Sequence, residues 1–224
     1  MRALNPSAIV FAKLSTERPA QRPATLRSEE LQLHADFRHL SSLQGVLHDL
    51  RYASVHNFMG KSLYGAEDCA WLRHEAAGGL ESAACWLQQR RPGWRLLVLD
   101  ALRPQRVQQL MWQAVLGTDK QDYVADPARG SIHSYGMAAD VTLLTADHQE
   151  VDMGSAFDQM DDSSHPELHA QLLASGLLSP VHVAHRDLLR DAMLQGGFAG
   201  IGTEWWHFDH GNRQQVRASL PRVE

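Results

Sequence analysis

The stretch Ser131-Ile-His-Ser-Tyr-Gly-Met-Ala-Ala-Asp140 joins two parts of the chain that differ in character. Residues 117–135 are polar and contain several glycines and aspartates, which predicts a long loop at the lip of a site. Residues 137–144 then form an apolar run of strand length. A second run of this kind, Arg95-Leu-Leu-Val-Leu-Asp100, predicts a central strand. We therefore expect a sheet at the centre of the fold, with polar loops at the ends of its strands.

The segments before and after Arg95–Asp100 have helical periodicity. Apolar residues at spacings of three and four predict an amphipathic helix over residues 68–91, which Gly78 and Gly79 weaken and could bend. Pro104 suits the first position of a second helix, whose period continues to Leu116.

The second half of the chain is predicted from its turn residues. Ser179 as N-cap, Pro180 in the first turn and Gly196-Gly197 as the stop delimit another helix. We expect a return strand within residues 145–154, and a last strand over residues 203–210 that leads into a polar tail. Since strands and helices do not alternate strictly, the expected class is α+β, with helices packed on a mostly antiparallel sheet.

The composition indicates a single globular domain. The chain has 224 residues, of which 44% are hydrophobic and 21% charged. Prolines and arginines among residues 1–27 predict an N-terminal leader or surface arm, with the domain over residues 28–224. The net charge of -5 and the scattered arginines argue against a nucleic-acid partner. We see no signal-peptide core and no run of transmembrane length, so we expect a soluble, cytoplasmic protein without a membrane partner; its oligomeric state stays open.

The cysteines and histidines bear on compartment and metal. If Cys69 and Cys85 lay on one helix, they would be on nearly opposite faces, so we expect no disulfide between them, which fits a reducing compartment. The thirteen histidines raise the expectation of a metal site.

Three side chains are candidate metal ligands, namely His133, Asp140 and His207. Two imidazoles and a carboxylate are a ligand set of catalytic zinc, which keeps its fourth position open. Glu204 would then be free to act as a general base in hydrolysis. Residues three apart on a regular strand face opposite sides, so Glu204 and His207 need a twist or bulge, or Glu204 must lie in the turn at residues 202–203. From spacing alone, an ordinary loop histidine, a strand-capping aspartate and a solvated glutamate remain open.

The order of these residues resembles the zinc D-alanyl-D-alanine dipeptidase family, the VanX type. The similarity spans about residues 50–210. It rests on Ser131-x-His133-x-x-Gly136-x-Ala138-x-Asp140 and Glu204-x-Trp206-His207, with Arg51-Tyr-Ala, Asn57-Phe-x-Gly60, Asp100-x-x-Arg103-Pro104, Met153-Gly154, Phe157-Asp158 and Gly197-Phe198 in the same order.

This resemblance implies a metallopeptidase with one zinc ion per chain, in a site at the sheet edge or in a cleft. His133, Asp140 and His207 would hold the zinc, and Glu204 would act first as general base and then as general acid. Asp209 or a backbone carbonyl could orient a ligand imidazole. The neighbouring tryptophans would pack around the site and keep it dry.

The resemblance also implies residues that meet the substrate. Arg103 would stabilise the charge that develops on the carbonyl oxygen; the alternative is a salt bridge to Asp100. Ser131 would meet the carboxylate of a dipeptide, while Tyr52 and Asp158 would hold its free amine; for these three, ordinary local contacts remain the alternative.

Two features leave questions open. The family commonly has Asp-Gly-Tyr-Arg-Pro where this chain has Asp100-Ala-Leu-Arg-Pro104, so a phenol near Arg103 is lost, which could alter the pocket wall and the substrate preference. His182, His185 and His210 could provide a different or second metal site, although we expect them to be exposed or satisfied by local contacts.

The function that the resemblance implies is hydrolysis of D-alanyl-D-alanine or a close D-amino-acid dipeptide. One competing function is a D,D-carboxypeptidase or endopeptidase on longer cell-wall peptides. The other is a noncatalytic zinc-binding or peptide-binding domain, although retention of Glu204 and Arg103 speaks against it, because neither is needed to bind a metal.

Overall fold

The computed structural model describes residues 25–224, and their elements form helices packed against a twisted mixed sheet. The strands are β1 (Phe37–His39), β2 (Val46–His48), β3 (Trp71–Arg73), β4 (Arg95–Asp100), β5 (Ala138–Leu144), β6 (Phe198–Gly200) and β7 (His207–His210). The helices are α1 (His74–Arg90), α2 (Gln105–Val115), α3 (His169–Ala174), α4 (Pro180–Gln195) and α5 (Arg213–Ser219). Short segments of 3-10 helix, among them Ser28–Leu33, Arg51–Ala53 and Ile132–Tyr135, occupy several of the connections.

The main sheet has the strand order β2-β4-β5-β7-β6, and β1 pairs with β3 in a separate small sheet. Strand β2 runs parallel to β4, and the other neighbours in the main sheet are antiparallel. The expected α+β class with a mostly antiparallel sheet is therefore confirmed.

The hydrophobic core lies between one face of this sheet and the helices α1 and α4. Val98 and Val141 contribute from the sheet, Leu80 from α1 and Leu189 from α4, and all four are fully buried. The opposite face of the central strands is lined by polar side chains at one end, and this is where the candidate site lies.

Gly79 allows the two core helices to approach closely. A Cβ atom at Gly79 would lie 2.4 Å from the carbonyl oxygen of Gly196, at the end of α4, whereas a Cβ at Gly78 would meet nothing within 4 Å. Helix α1 is continuous through both glycines. The site where glycine was predicted to weaken the helix is therefore the site where it packs closely against the end of α4.

Several sequence predictions agree with the structure. Strand β4 and helix α4 have the predicted bounds, and the hydroxyl of Ser179 accepts a hydrogen bond from the N–H of His182, as an N-cap should. The predicted second helix corresponds to α2, and Trp205 and Trp206 are buried in the core.

Four predictions about segments were wrong. The helix expected from residue 68 starts at His74, because residues 71–73 form β3 instead. The return strand within residues 145–154 is reduced to one isolated bridge between Leu144 and Glu150. The last strand begins at His207, and the tail beyond it folds into α5.

The cysteines form no disulfide, as predicted, although the condition that they share one helix is not met. Cys69 precedes α1, so the two cysteines do not share a helix; Cys69 is buried, Cys85 is exposed, and both are free thiols. Most of the predicted leader, residues 1–24, lies outside the described residues, and Leu26 forms a bridge with Val223 near the C-terminus.

Candidate active site

Three neighbouring strands bring the acidic and imidazole side chains together. In the register of the sheet, Asp140 on β5 lies opposite His207 on β7 and opposite Asp100 on β4. Residues paired across neighbouring strands project from the same face of a sheet. The site is therefore a cleft over the central strands, and not a feature of the sheet edge.

A strand irregularity places Asp100 on this face. The pairing of β4 with β5 shifts register between Val98 and Asp100. On a regular strand Asp100 would share the core face with Val98, two residues before it. With the shift, Asp100 lies beside Asp140, and both carboxylates contact the same guanidinium.

His133 reaches the same place from the loop before β5. It lies in the 3-10 turn Ile132–Tyr135, which ends at Gly136 in the left-handed region with φ of +67°. A Cβ atom at Gly136 would lie 2.8 Å from the Phe37 ring and 3.3 Å from the backbone nitrogen of Arg73. Glycine is thus required at position 136 by its backbone conformation and its neighbours.

Three ligand atoms form a compact triangle. His133 Nε2 lies 3.3 Å from Asp140 Oδ1, His207 Nδ1 lies 3.0 Å from the same oxygen, and the two nitrogens are 3.2 Å apart. Ligands bound to zinc at about 2.0–2.2 Å in a tetrahedron are about 3.3–3.6 Å apart. The triangle is close to these dimensions, so the donor set fits a zinc ion and leaves a fourth position toward the cleft.

Each imidazole is oriented by a partner on its other nitrogen. His133 Nδ1 donates to the carbonyl oxygen of Ala101 at 2.7 Å, and His207 Nε2 donates to Asp209 Oδ1 at 3.0 Å. These bonds leave His133 Nε2 and His207 Nδ1 free to accept a cation. Both kinds of orienting partner that the sequence suggested, a carbonyl and Asp209, are present.

The charges in the cleft are strongly coupled. Burial alone would raise the pKa of Asp140, but His133 and His207 outweigh it and hold that pKa well below its ordinary value. Burial would likewise raise the pKa of Asp209, yet His207 and Arg213 bring it to about 2. Both aspartates are therefore carboxylates at neutral pH, the form in which they attract a cation.

Arg103 is held rigidly at the edge of the ligand triangle. Its Nη2 donates to Asp100 Oδ2 at 2.7 Å and to Asp140 Oδ2 at 3.3 Å, while Nη1 donates to Gln108 Oε1 at 3.2 Å. Its guanidinium lies over the ring of Tyr52, 4.9 Å from the centroid. The sequence left open whether Arg103 forms a salt bridge to Asp100 or lies in the cleft. In the structure it does both.

A cavity of about 330 Å³ opens over these groups. All eight residues proposed from the sequence line it: Tyr52, Arg103, Ser131, His133, Asp140, Asp158, Glu204 and His207. They come from separate segments of the chain, so only the folded sheet and its loops bring them together.

Glu204 lies in the irregular segment just before β7. Because His207 is the first residue of that strand, the two are not on a regular strand and can share one side. Burial raises the pKa of Glu204 to about 8, with Asp140 and Asp158 adding to the rise and His207 opposing it. Of the two arrangements considered from the sequence, the structure therefore has the second, in which Glu204 lies before the strand and not on it.

Asp158 and Tyr52 form a pair at another wall of the cavity. The Tyr52 hydroxyl donates to Asp158 Oδ1 at 2.8 Å, and the N–H of Phe58 donates to Oδ2 at 3.2 Å. Burial raises the pKa of Asp158 to about 7, against the effect of these two hydrogen bonds. The residue has a φ of +61°, an uncommon conformation for a residue with a side chain.

Arg186 fixes the loop that carries Asp158. Its guanidinium is buried and donates to the carbonyl oxygens of Met153 at 2.7 Å and Ser163 at 2.9 Å, and to the hydroxyl of Ser155 at 3.0 Å. The two carbonyls flank the loop, so one side chain holds both of its ends.

Ser131 lies just before the 3-10 turn that carries His133. It is buried, it lines the cavity, and its hydroxyl makes no hydrogen bond within residues 25–224. A hydroxyl that faces a cavity in this state is available to a ligand.

Several residues of the site were not predicted from the sequence. The hydroxyl of Tyr64 donates to Asp100, and Gln108 supports Arg103 from inside α2. Arg129 and Arg217 also line the cavity. Arg217 was missed because the segment that carries it was expected to be a polar tail, although Asn212 is a good N-cap for a helix there.

The structure answers the two questions that the sequence left open. Leu102 is not in the pocket wall; it is fully buried in a separate cluster with Leu31, Phe37 and Val223. Within the described part of the chain, the triangle is the only group of three potential ligands, so the suggested second histidine site is not formed.

Two of those histidines have local structural partners instead. His182 Nδ1 accepts from the N–H of Ser179 at 3.2 Å and its Nε2 lies 3.2 Å from Asp152 Oδ2, and His185 Nδ1 donates to the carbonyl of Asp152 at 2.8 Å.

Comparison with known proteins identifies the family. Residues 35–223 match the family model described as D-ala-D-ala dipeptidase, Peptidase M15. The chain belongs to this family and is a hydrolytic enzyme.

The chain matches two named relatives over most of their length. The chain is 38% identical over 161 residues to a D-alanyl-D-alanine dipeptidase of Escherichia coli (strain K12), which spans 72% of this chain and 77% of the relative. It is 33% identical over 186 residues to a D-alanyl-D-alanine dipeptidase of Enterococcus faecium, covering 74% and 86% respectively. A solved LD-carboxypeptidase is a weaker likeness, with 14% identity, 82% and 72% coverage and a TM-score of 0.42. Among the described residues, no helix has the length and apolar character needed to cross a membrane.

Proposed function

We propose that this protein is a zinc-dependent dipeptidase that hydrolyses D-alanyl-D-alanine or a closely related D-amino-acid dipeptide. The observation that carries the proposal is the triangle of His133, Asp140 and His207 in one cavity with Glu204 and Arg103. A domain that bound metal for stability alone would need neither of the last two. The proposal includes the cytoplasmic location expected from the sequence, which cell fractionation would test.

His133 Nε2, Asp140 Oδ1 and His207 Nδ1 would hold the zinc ion. When bound, zinc supplies a Lewis acid that polarises a carbonyl group and makes water more acidic. The hydrogen bonds that the two rings donate to Ala101 and Asp209 keep both in the tautomer that metal binding requires.

Glu204 would move the proton. Its carboxylate takes a proton from the attacking water and delivers it to the nitrogen of the leaving amino acid, so the peptide C–N bond breaks with no net change at Glu204. Burial raises the pKa of Glu204 to about 8 in the absence of a metal, and the charge of a bound zinc ion would lower it toward the carboxylate form that accepts the proton.

Arg103 would stabilise the negative charge on the carbonyl oxygen as water adds. Its guanidinium is fixed by Asp100 and Gln108 before any substrate arrives, so no reorganisation is needed in the transition state. Because Asp100 and Asp140 surround it, it stays protonated at every relevant pH.

The two ends of the substrate would meet complementary walls. Asp158 and Tyr52 present a carboxylate and a hydroxyl oxygen to the free ammonium group, and Ser131 presents a hydroxyl donor to the carboxylate. A dipeptide carries these opposite charges a short distance apart, so both ends are recognised together.

Glu204→Gln tests the assignment of the base. The amide keeps the size of the side chain but cannot accept a proton, so we expect zinc content close to that of the wild type and turnover reduced by orders of magnitude. Asp122→Asn is the matched control, because Asp122 lines the same cavity but is solvent-exposed and has no proposed role. Unchanged turnover in Glu204→Gln would rule out the base, and lost zinc would make Glu204 a ligand instead.

A further inference from the structure

The cavity contains positively charged side chains that the proposed chemistry does not use. Arg129, in the lip loop (residues 117–135), and Arg217, on α5, both line the cavity that contains Ser131. Within residues 25–224 neither guanidinium forms a salt bridge. Arg213 lies one helical turn before Arg217, but its charge is paired with Asp209.

The backbone around these arginines is fixed. The carbonyl oxygens of residues 125 and 127, in the lip loop, accept hydrogen bonds from the buried amides of Gln108 at 2.7 Å and Gln105 at 2.9 Å. Within the loop, the Asp126 carboxylate accepts from the N–H of Ala128 at 2.8 Å, so this nearby acid is engaged with the backbone. The loop therefore presents Arg129 from a supported turn and needs little ordering on binding.

Arg217 is tied to the residue next to Ser131. Its Nε donates to the carbonyl oxygen of Gly130 at 3.0 Å, so its terminal nitrogens remain as donors beside the serine. The side chain is half-buried, and burial together with the charge of Arg129 lowers its pKa. The negative charge of an anion bound beside the two guanidinium groups would offset both effects.

The cavity is lined by groups of both charges. Asp158 and Glu204 are acidic, whereas Arg129 and Arg217 are cationic and lie close in the chain or in space to Gly130, the residue before Ser131. Guanidinium groups bind carboxylates through charge-assisted hydrogen bonds, often by two nitrogens at once.

We propose that Arg129 and Arg217 are specificity-determining residues that bind, together with Ser131, the free C-terminal carboxylate of the substrate. They would restrict the enzyme to peptides whose scissile bond is followed by one residue with an ionised carboxylate. This inference rests on the proposed function and adds the groups that recognise the acidic end of the substrate.

The test compares two substrates that differ only in this charge, D-alanyl-D-alanine and its C-terminal amide, on the zinc-loaded protein. For the wild type we expect kcat/KM to be about a hundredfold higher for the acid. In the double variant Arg129→Gln/Arg217→Gln, we expect KM for the acid to rise about tenfold to hundredfold with kcat within about threefold, and the amide to be unaffected.

The single variants and the controls locate the effect. Arg217→Gln should cost more than Arg129→Gln, because Arg129 is exposed and its interactions are screened. Arg217→Lys should recover part of the loss, because it keeps the charge. Arg190→Gln is the matched control: Arg190 is a surface arginine of α4 paired with Asp187, and its loss should leave both substrates unchanged. Added salt should raise KM for the acid in the wild type and have little effect in the double variant.

Each outcome decides between the inference and the function on which it rests. If the zinc-loaded wild type cleaves acid and amide equally well, the arginines do not select the carboxylate, although the dipeptidase function stands. If the double variant loses activity on both substrates in parallel, the arginines support the fold and the inference is wrong. If the wild type cleaves neither, the proposed function fails, and the inference fails with it.

Discussion

Replacement of Asp209 by asparagine should weaken zinc binding without removing a ligand. Asp209 is 3% exposed and accepts the Nε2–H of His207 at 3.0 Å, while Arg213 contacts its other oxygen. Its pKa of about 2 means that His207 faces a full negative charge at neutral pH. The amide introduced by Asp209→Asn would keep an oxygen acceptor of similar size but lose that charge, so His207 becomes a weaker donor to the metal.

The expected loss is about tenfold to hundredfold in zinc affinity, the usual cost of changing a carboxylate that orients a metal-bound histidine. This is about 1.4–2.8 kcal/mol. Competition between the protein and a chromogenic chelator measures the affinity directly, independently of any substrate. At saturating zinc the variant should recover most of its activity, because all three ligands remain.

Arg213→Gln is the control for the outer ion pair. It removes the partner of Asp209 but keeps the bond between Asp209 and His207, so we expect a change in zinc affinity of less than about threefold. The reasoning is refuted if Asp209→Asn binds zinc within twofold of the wild type, or if Arg213→Gln weakens binding as much as Asp209→Asn does.

Three further predictions concern catalysis, pH dependence and packing. Arg103→Ala should lower kcat by on the order of a hundredfold or more with zinc still bound, whereas a rate within threefold of the wild type would contradict its role at the carbonyl oxygen. Since burial raises the pKa of Asp158 to about 7, it is neutral below that pH and ionised above it. The kcat/KM for the dipeptide should therefore rise as the pH passes through about 7, and this part of the rise should disappear in Asp158→Asn; the same rise in that variant would exclude Asp158 as its cause. Gly79→Ala should reduce the free energy of unfolding by about 1–3 kcal/mol, because the new methyl group would overlap the Gly196 carbonyl. The control Gly78→Ala should raise it by up to about 1 kcal/mol, and equal denaturant midpoints for the two variants would show that the close contact is absent.

The elements that the sequence predicts best are those with clear ends. Helix α4 has a serine cap, a proline in its first turn and glycines after its last, and each of these signals acts within a few residues. Strand β4 is a continuous apolar run because it is buried on both faces. Strands β1 and β3 were not predicted, because three residues are too few to show a period.

The arrangement of the site depends on contacts that spacing does not encode. The triangle requires the register that pairs Asp140 with His207, and the position of Asp100 requires a shift within β4. Spacing left Glu204 ambiguous because the start of β7 decides whether it shares a side with His207, and strand ends are poorly specified by local sequence. The order of motifs identified the residues, whereas the fold was needed to show that they line one cavity.

The positions of Arg129 and Arg217 in the cavity could not be predicted from the sequence for the same reason. Arg129 and Arg217 are far apart in sequence and lie among other arginines that are paired on the surface. Arg129 is two residues from Ser131 in the sequence, but only the packing of α5, with the bond from Arg217 to the carbonyl of Gly130, brings Arg217 close to that segment.

The central claim is tested most directly by measuring the release of free D-alanine from D-alanyl-D-alanine by the purified protein, with zinc and with a chelator. The L,L-dipeptide and the tripeptide D-alanyl-D-alanyl-D-alanine serve as comparison substrates. We predict rapid hydrolysis of the D,D-dipeptide that the chelator abolishes and added zinc restores, with little hydrolysis of the other two. Hydrolysis that persists in the chelator would contradict the metal site, and a tripeptide cleaved at a comparable rate would contradict a strict dipeptidase.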